Sequence, residues 1–382
     1  MTKPRILVTS AAGRTGAAAV QELLSLGFPV RAFVRRDDAR AADLRAQGAE
    51  VFVGNLFDYR DLQAALVDVQ RAYHCPPFAP NQLHGSMLFA LAAEEAKLEV
   101  VALMSGWNPH RSHPSLLTRE QWIANNIFRW MPSVDFVHVN PGLFGVMYLL
   151  GLPAIAHFGA FLAPFGEGLN APPSNEDIGS LAAHVLAAPD GHIGRCYRPT
   201  GPTLIAPQDI AGILSKVLDR TVTYRDVPFS MFAKAAKVSG FPTFEIANMK
   251  RYAEELREGA YAVGAPTDHV ERVTGRKPED FETLARRYVA NPELIAPGLQ
   301  IGTKLGATWD LMKMLVTRPP DLERFEREHG QPALVEPLLA HESDTWRAAA
   351  ERYELSLLGR VATIDAARPI AVSSGSPLPA TP

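Results

Sequence analysis

Residues 5–16 read RILVTSAAGRTG, and this stretch decides the fold class. Its apolar run, residues 6–8, has the length and composition of a strand that is buried on both faces in a parallel sheet. A turn of small residues follows, and residues 17–27 have the pattern of a helix that ends at Gly27. Strand, tight turn and helix begin a βαβ unit of the dinucleotide-binding kind, because the N–H groups of the turn and the helix N-terminus attract a pyrophosphate.

The turn lacks one glycine of the usual fingerprint. The pattern G-x-x-G-x-x-G requires glycine at the positions of Ser10, Gly13 and Gly16, and serine stands at the first of them. Serine is small and forms local hydrogen bonds, so it can occupy a tight turn. From the turn alone, a dinucleotide site and a purely structural strand-to-helix turn remain equally open.

Strand and helix patterns alternate along the first part of the chain. The predicted strands are residues 6–8, 29–35, 49–56, 71–78, 98–105 and 134–142, and the helices between them are residues 17–27, 38–47, 58–66, 82–96 and 116–130. This regularity predicts an α/β fold with a doubly wound parallel sheet of the Rossmann type. Ligands of such sheets lie at the carboxyl ends of the strands.

The remaining sequence predicts further units. We expect a Rossmann domain over residues 1–150, a smaller mixed α/β second lobe over 151–295 that is interleaved with it, a helical C-terminal extension over 296–366, and a disordered Pro/Ser/Gly tail over 367–382. In the second lobe, helices are predicted at residues 175–189, 207–220, 230–238, 244–258 and 278–289, and strands at 194–205 and 221–228.

Composition narrows the classes of function. The formal net charge of −3 argues against a nucleic-acid partner, and no apolar run is long enough to span a bilayer. The only cysteines, Cys75 and Cys196, indicate a reducing compartment, and the chain opens directly into a strand without a signal-peptide pattern. We therefore expect a cytoplasmic protein that acts on a small molecule away from membranes; a homo-oligomer remains open.

Two arginines at the end of the second predicted strand bear on the choice of cofactor. An NAD site usually has an acidic residue there, whereas this chain has Arg35 and Arg36. Guanidinium groups suit the 2′-phosphate of NADP, so we expect NADP to be preferred over NAD. Arg14, inside the turn, could add a second phosphate contact. The alternative is that these arginines are solvated surface charges.

Taken together, the chain resembles the NmrA-like branch of the atypical short-chain dehydrogenase/reductases. The resemblance is carried by ILVTSAAGRTG (6–16), VRAFVRR (30–36), VFVGNLFD (51–58), FVHVNPGLF (136–144) and YRPTGPTLIAPQDIAGILSKVLDRTVTYRDVP (197–228). It implies binding of NAD(P) and, as in many members, an NAD(P)H-dependent reductase. Other members bind the dinucleotide without turnover and regulate a protein partner.

The resemblance also implies where the cofactor contacts lie. The implied contacts are Ser10, Ala12, Gly13, Arg14, Thr15 and Gly16 around the pyrophosphate, Arg35 at the 2′-phosphate, Asn55 and Leu56 beside the adenine, Pro76 near the nicotinamide ribose, Ser105 at the end of the fifth strand, and Pro141, Gly142, Leu143 and Phe144 behind the nicotinamide. For Asn55, an ordinary turn residue at the end of a strand is the alternative.

The proton donor of ordinary short-chain dehydrogenases is absent from the sequence. They use Tyr-x-x-x-Lys, and none of the 9 tyrosines is followed four residues later by lysine. His110 and His113 follow the fifth predicted strand, and His113 is the predicted catalytic residue. Two exposed loop histidines are the alternative, and two ligands are too few to predict a metal. Trp107 and Trp122 could form the wall of a substrate pocket or pack in the core.

Two functions therefore remain open. The first is an NADP(H)-dependent reductase of a small carbonyl or unsaturated organic substrate, in which a water molecule or His113 supplies the proton. The second is a non-catalytic NAD(P)-sensing regulator that acts through a protein partner. The reductase is the preferred hypothesis, because the second lobe is rich in apolar residues that suit an enclosed pocket: Leu143, Phe144, Met147, Phe158, Phe161 and Phe165.

Overall fold

The computed structural model describes residues 3–295, 299–329 and 338–352. Its strands are β1 (Ile6–Val8), β2 (Val30–Val34), β3 (Glu50–Val53), β4 (Arg71–His74), β5 (Val100–Met104), β6 (Asp135–Val139), β7 (Ala160–Ala163), β8 (Cys196–Tyr197) and β9 (Thr223–Asp226). Seven of them form one parallel sheet in the order β3-β2-β1-β4-β5-β6-β8, and β7 pairs with β9 in a second sheet. The predicted tail, residues 367–382, lies outside the described residues.

Helices connect the strands and continue toward the C-terminus. The α-helices are α1 (Arg14–Ser25), α2 (Ala39–Ala46), α3 (Tyr59–Ala65), α4 (Gln82–Ala96), α5 (Leu116–Arg129), α6 (Leu152–Phe158), α7 (Asn175–Ala187), α8 (Pro207–Val217), α9 (Phe229–Val238), α10 (Thr243–Arg257), α11 (His269–Thr274), α12 (Phe281–Ala290), α13 (Lys304–Val316), α14 (Leu322–Glu328) and α15 (Asp344–Arg352). Short 3₁₀ helices lie at Gly145–Leu149, Pro292–Leu294 and Ala340–Glu342. None of the described helices is long and apolar enough to cross a membrane.

The large sheet is covered by helices on both faces, which confirms the doubly wound Rossmann fold. Successive residues of β1 point to opposite faces, as the period of a strand requires. Ile6 and Val8 pack in a buried cluster with residues of α1, α2 and α7. Leu7 packs in a second cluster with Leu62 of α3 and Phe89 of α4. Both faces of the strand are therefore buried, which is why its sequence is continuously apolar.

Helices α1 and α7 approach each other closely through small residues. A Cβ atom on Gly179 of α7 would lie 2.6 Å from the backbone nitrogen of Ala19 in α1. No larger side chain fits between these two backbones, so the pair is packed as tightly as the chain allows. This contact fixes the position of α1, and with it the turn that precedes α1.

The structure differs from the sequence-based prediction at several elements. Helix α1 begins at Arg14 rather than at residue 17, because the small residues of the fingerprint form its first turn. The predicted strand 194–205 shrinks to Cys196–Tyr197. Helices α6 and α11 and strand β7 were not predicted, whereas α13 lies in the predicted helical extension. The sequence around α6 and β7 contains prolines and short apolar runs, so it shows neither the hydrophobic period of a helix nor that of a strand.

Candidate functional site

The turn after β1 has the backbone geometry of a phosphate-binding loop. Ser10 has a positive φ of 50°, the conformation for which the fingerprint normally uses glycine. Its carbonyl oxygen accepts a hydrogen bond of 2.8 Å from the Gly13 N–H, and the Ala11 N–H donates to the Phe33 carbonyl at 3.1 Å. Serine therefore occupies the position of the missing glycine and keeps the turn tight.

The two glycines of the turn are required for different reasons. A Cβ atom on Gly16 would lie 2.5 Å from the Ser10 carbonyl oxygen, so a side chain there would push helix α1 off the turn. A Cβ atom on Gly13 would be 3.1 Å from the same oxygen. Gly13 is the N-cap of α1 and provides no side-chain cap, so the first N–H groups of the helix are left for a ligand.

The side chains of Thr15 and Arg14 have protein partners of their own. The Thr15 hydroxyl donates to Asn175 Oδ1 at 3.0 Å, and Asn175 Nδ2 donates to the Tyr288 hydroxyl at 2.9 Å. Thr15 thus ties the turn to α7, and only its backbone N–H remains for a phosphate. The exposed Arg14 guanidinium donates from Nε to the Leu294 carbonyl at 3.0 Å.

The acidic side chains that follow β2 are paired with other residues, whereas the two arginines directly after the strand are not paired with any described residue. Arg35 and Arg36 are exposed and have no hydrogen bond or ion pair among the residues that the structure describes. The two nearby acids are already paired: Asp37 lies 2.7 Å from Arg45, and Asp38 caps α2 and pairs with Arg40. The charges left over after β2 are therefore positive.

Arg31 has a structural role in the same region. It is buried, donates to Glu50 at 2.9 Å, and donates to the carbonyls of Ala65 and Val67 at 2.7 Å each. Arg31 holds β2 against β3 and α3 and does not contribute to the exposed charge at the strand end.

Asn55 and Leu56 follow β3 at the same edge of the sheet. Asn55 Oδ1 accepts from the Phe57 N–H at 3.1 Å, and the Asn55 N–H donates to Asp61 at 2.8 Å. Asn55 therefore forms the turn that ends the strand, while its side chain stays exposed. Leu56 is half-buried against the cluster below the sheet. Pro76 is half-buried two residues after β4.

Ser105 is buried at the end of β5, and its Oγ has no hydrogen-bond partner among the described residues. Asn140, the first residue after β6, is buried as well and has an unpartnered Oδ1. Pro141, Gly142 and Leu143 follow it and are all buried. The residues that were predicted to contact the cofactor thus follow the carboxyl ends of β1 to β6, which brings them to one edge of the sheet.

The two loop histidines are buried, so the alternative of two exposed loop histidines is wrong. His110 is 5% exposed and His113 is 0% exposed. His113 Nδ1 accepts from the Ser115 N–H at 3.0 Å, and Nε2 lies 3.2 Å from Glu255 Oε1 on α10. Neither ring nitrogen of His113 is open to a substrate in this arrangement. A proton-donor role for His113 stays a prediction.

Trp107 packs in the core, as the alternative for this residue anticipated. Its Nε1 donates to the Ala260 carbonyl at 2.9 Å, and its ring faces the guanidinium of Arg198. Arg198 was not predicted as a site residue. Its guanidinium is completely buried, and burial lowers its pKa to about 9. Nothing in the sequence singles it out among 38 basic residues, because its burial depends on distant segments.

An apolar cavity lies in the second lobe. Four of the six apolar residues that were predicted to enclose a pocket line it, together with Tyr148 and residues of helices α9, α10 and α13. The four are Met147, Phe158, Phe161 and Phe165. Leu143 and Phe144 do not line the cavity but pack in the same apolar cluster as Phe161 and Phe165. The described residues contain no group of three or more side chains that could hold a metal ion.

Comparisons with known proteins agree with this geometry. Residues 2–116 match the model of the NmrA-like family. The NAD(P)H azoreductase of Xenophilus azovorans is 29% identical over 286 residues, which cover 75% of this chain and 98% of that protein.

The fold is also found in solved structures. The NADPH-dependent quinone oxidoreductase QOR2 of Escherichia coli, complexed with NADPH, aligns with a TM-score of 0.65 and 22% identity over 75% of this chain and 100% of that one. NmrA, a negative transcriptional regulator, in complex with NADP, aligns with a TM-score of 0.63 and 17% identity over 78% of this chain and 100% of that one. The match to the NmrA-like family model spans strands β1 to β5 and the turn after β1, and the likeness to these two structures shows the Rossmann fold.

Proposed function

We propose that the protein is an NAD(P)H-dependent oxidoreductase that reduces a small carbonyl or unsaturated organic substrate. The turn from Ser10 to Gly16 carries the proposal, because it is tight, capped by glycine and leaves the first N–H groups of α1 for a ligand. The similarity to a protein named NAD(P)H azoreductase extends over 98% of that protein and supports the proposal of a reductase.

The residues present fit the cofactor at each end. The N–H groups at the start of α1 would hold the pyrophosphate, and the Thr15–Asn175 hydrogen bond would keep them in place. Bound NAD(P)H would supply the hydride. At the other end, the buried Ser105 hydroxyl has no partner among the described residues and is available to donate a hydrogen bond to the cofactor or substrate.

We further propose that the cofactor is NADPH rather than NADH. Arg35 directly follows β2, where a dinucleotide's adenosine ribose is held, and its guanidinium has no partner in the described part of the chain. The nearby acids are neutralised by Arg40 and Arg45 and so would not repel a 2′-phosphate. The free guanidinium is the observation that favours the phosphate-bearing cofactor.

The apolar cavity of the second lobe is our candidate for the apolar part of the substrate. Tyr148 lines it, and the Tyr148 hydroxyl lies 3.1 Å from Asn170 Nδ2. Asn170 Nδ2 also donates to the Leu143 carbonyl at 2.8 Å, which joins the cavity wall to the segment after β6. An aromatic or polycyclic substrate would suit such a lining.

The proposal is tested by measuring both binding and turnover of NADPH. Cofactor fluorescence gives the affinity, and the decrease in NADPH absorbance gives the rate with a panel of quinones, azo dyes, enones and aldehydes. We expect saturable NADPH binding and oxidation with at least one class of substrate. Absence of binding would reject the proposal. Tight binding without oxidation across the panel would favour the regulator, whose partner a pull-down with cofactor-loaded and empty protein would then seek.

A further inference from the structure

The guanidinium of Arg198 is an unpaired charge in the interior of the protein. Its side chain is 1% exposed, and within the described ranges no carboxylate lies at ion-pair distance. Nη2 donates to Asn108 Oδ1 at 3.1 Å. Nε and Nη1 have no acceptor among the described residues. Desolvation of an unpaired charge costs several kcal/mol, so an interior arginine of this kind requires an explanation.

Aromatic contacts account for only part of this arrangement. The Arg198 guanidinium lies 3.2 Å from the centre of the Trp107 ring and 5.9 Å from that of Trp346 in α15. Such cation–π contacts satisfy the flat faces of the guanidinium. Its N–H groups point outward in the plane of the group, so stacking leaves the donors on Nε and Nη1 unsatisfied.

The backbone of Arg198 is held on both sides. Its N–H donates to His269 Nδ1 at 2.8 Å, and its carbonyl accepts from the Thr267 hydroxyl at 2.5 Å. Trp107 in turn is fixed by its hydrogen bond to Ala260. The guanidinium is therefore positioned before any ligand arrives, which is the condition under which a donor contributes most to the stabilisation of developing charge.

Arg198, Asn140 and Ser105 lie side by side at the ends of neighbouring strands and form one row across the sheet. Met104 is in register with Val139, and Val139 with Tyr197, so the next residue of each strand falls on the same row. All three side chains are buried, and each has at least one polar atom without a partner among the described residues. The row lies at the carboxyl edge of the sheet, where ligands of this fold bind.

We propose that Arg198 binds an anionic oxygen of the substrate at this edge, and that this oxygen is the one created by hydride addition. This inference rests on the proposed reductase function. The hydride leaves NAD(P)H with its electron pair and forms a bond to a substrate carbon. The π electrons of the carbonyl or conjugated carbonyl group move onto oxygen, and NAD(P)⁺ remains. Arg198 stabilises the oxyanion until a proton from solvent neutralises it.

A carboxylate that the substrate already carries is the other possible source of an anionic oxygen that Arg198 binds. The two sources affect different kinetic constants. If the oxygen becomes charged only during the reaction, loss of Arg198 lowers kcat for neutral quinones or enones, because the interaction exists only in the transition state. If a substrate carboxylate is bound from the start, loss of Arg198 raises KM for acidic substrates alone.

The principal variant is Arg198→Met, which keeps an unbranched apolar stem and removes the charge. We expect kcat for a neutral substrate to fall roughly 100- to 1,000-fold, the usual effect of removing one donor from an oxyanion site. NADPH affinity should not change, and Tm should stay the same or rise, because an unpaired buried charge is lost. Arg198→Lys should restore part of kcat. Arg225→Met, an exposed arginine on β9, is the matched control.

Two outcomes with this variant would overturn the proposal. One is turnover within a few-fold of the wild type for both neutral and acidic substrates. The other is a lower Tm with kcat and KM unchanged, which would make Arg198 an anchor for Trp346 and no more.

A second measurement on the wild type does not depend on how the variant folds. NADPH-loaded protein is titrated with benzoate and with benzamide, two probes of the same shape and different charge, while the fluorescence of Trp107 reports on the guanidinium. We expect saturable quenching by benzoate alone, absent in Trp107→Phe and competitive with substrate. Equal responses to both probes, or none, would refute the anion site. Selective benzoate binding without any NADPH oxidation would keep the anion site and reject the reductase.

Discussion

The carbonyl oxygen of Ser10 occupies the space in which a side chain on Gly16 would have to stand. A Cβ atom at Gly16 would meet it at 2.5 Å, and the same oxygen already accepts the Gly13 N–H at 2.8 Å. One backbone carbonyl thus closes the turn and sets how near helix α1 approaches it. The absence of a side chain at position 16 is therefore a packing requirement of the turn.

Substitution of the two glycines should separate stability from binding. Gly16→Val should lose about 1–3 kcal/mol of unfolding free energy through overpacking and should also lose NADPH binding. Gly13→Val should lose binding with a smaller change in stability, because its Cβ atom would be 3.1 Å from the nearest backbone oxygen. Thermal denaturation and cofactor fluorescence measure the two quantities.

Gly212→Ala is the control for the glycine variants. It lies in α8 with no atom within 4 Å of the added Cβ, so alanine should leave stability unchanged or raise it. Normal NADPH binding by both valine variants would show that the turn has only a structural role.

Arg35→Ala should abolish the preference for NADPH. A charge-assisted hydrogen bond to the 2′-phosphate contributes on the order of 1.5–3 kcal/mol, so NADPH affinity should fall roughly 10- to 100-fold while NADH affinity is nearly unchanged. Titration of both cofactors measures the ratio. Arg324→Ala, an exposed arginine of α14 that is paired with Glu328, is the matched control. A wild-type protein that binds both cofactors equally would contradict the assignment of NADP.

His113→Ala should destabilise the fold, because it leaves the buried Glu255 carboxylate without its neighbour 3.2 Å away. Removal of one partner from a buried ionisable pair typically costs about 3–5 kcal/mol. His113→Gln keeps a donor that reaches toward Glu255 but cannot titrate near neutral pH. Chemical denaturation compares the three proteins, and His110→Ala serves as the control from the same loop.

Turnover of the same variants tests the predicted proton-donor role. If His113 donates the proton, His113→Gln should recover stability while kcat remains roughly 100- to 10,000-fold low. Recovery of both stability and kcat would restrict His113 to positioning the loop and leave a water molecule as the donor.

Buried histidines should make the fold sensitive to acid. Burial lowers the pKa values of His74 and His138 from 6.5 to about 3. Between these pH values the unfolded chain binds protons that the folded chain does not, so the free energy of unfolding decreases as the pH falls below 6.5. Each unit of pKa difference corresponds to about 1.4 kcal/mol per group. Above pH 6.5 both histidines are neutral in the folded and the unfolded chain, so they no longer make the free energy of unfolding depend on pH.

Urea denaturation across this window measures the slope, and His138→Phe provides the comparison. His138 Nε2 has no partner among the described residues, and its ring lies 4.9 Å from Phe136, so phenylalanine suits the site. The variant should show a shallower decrease of stability with acid than the wild type. An unchanged slope would mean that His138 is protonated at an ordinary pKa in the folded protein.

The sequence by itself determined the Rossmann architecture. Strand β1 and helix α4 have the predicted bounds, and the strand order places every predicted cofactor residue at one edge. These features could be predicted because a strand that is buried on both faces is continuously apolar, and because glycine and proline mark the turns between elements. The place of Ser10 in a tight turn could be predicted too, because its backbone conformation is set by the turn itself.

Only the tertiary structure decided what the polar residues do. His113 and Glu255 are far apart in sequence and meet because α10 packs against the loop after β5. Arg198 and Trp107 are also far apart in sequence and meet because β8 and β5 lie in the same sheet. A polar residue leaves no periodic signal that tells burial from exposure, because its burial is set by segments that lie far along the chain. The row that joins Arg198 to the strand ends likewise exists only through the register of neighbouring strands, which hydrogen bonds between distant segments fix.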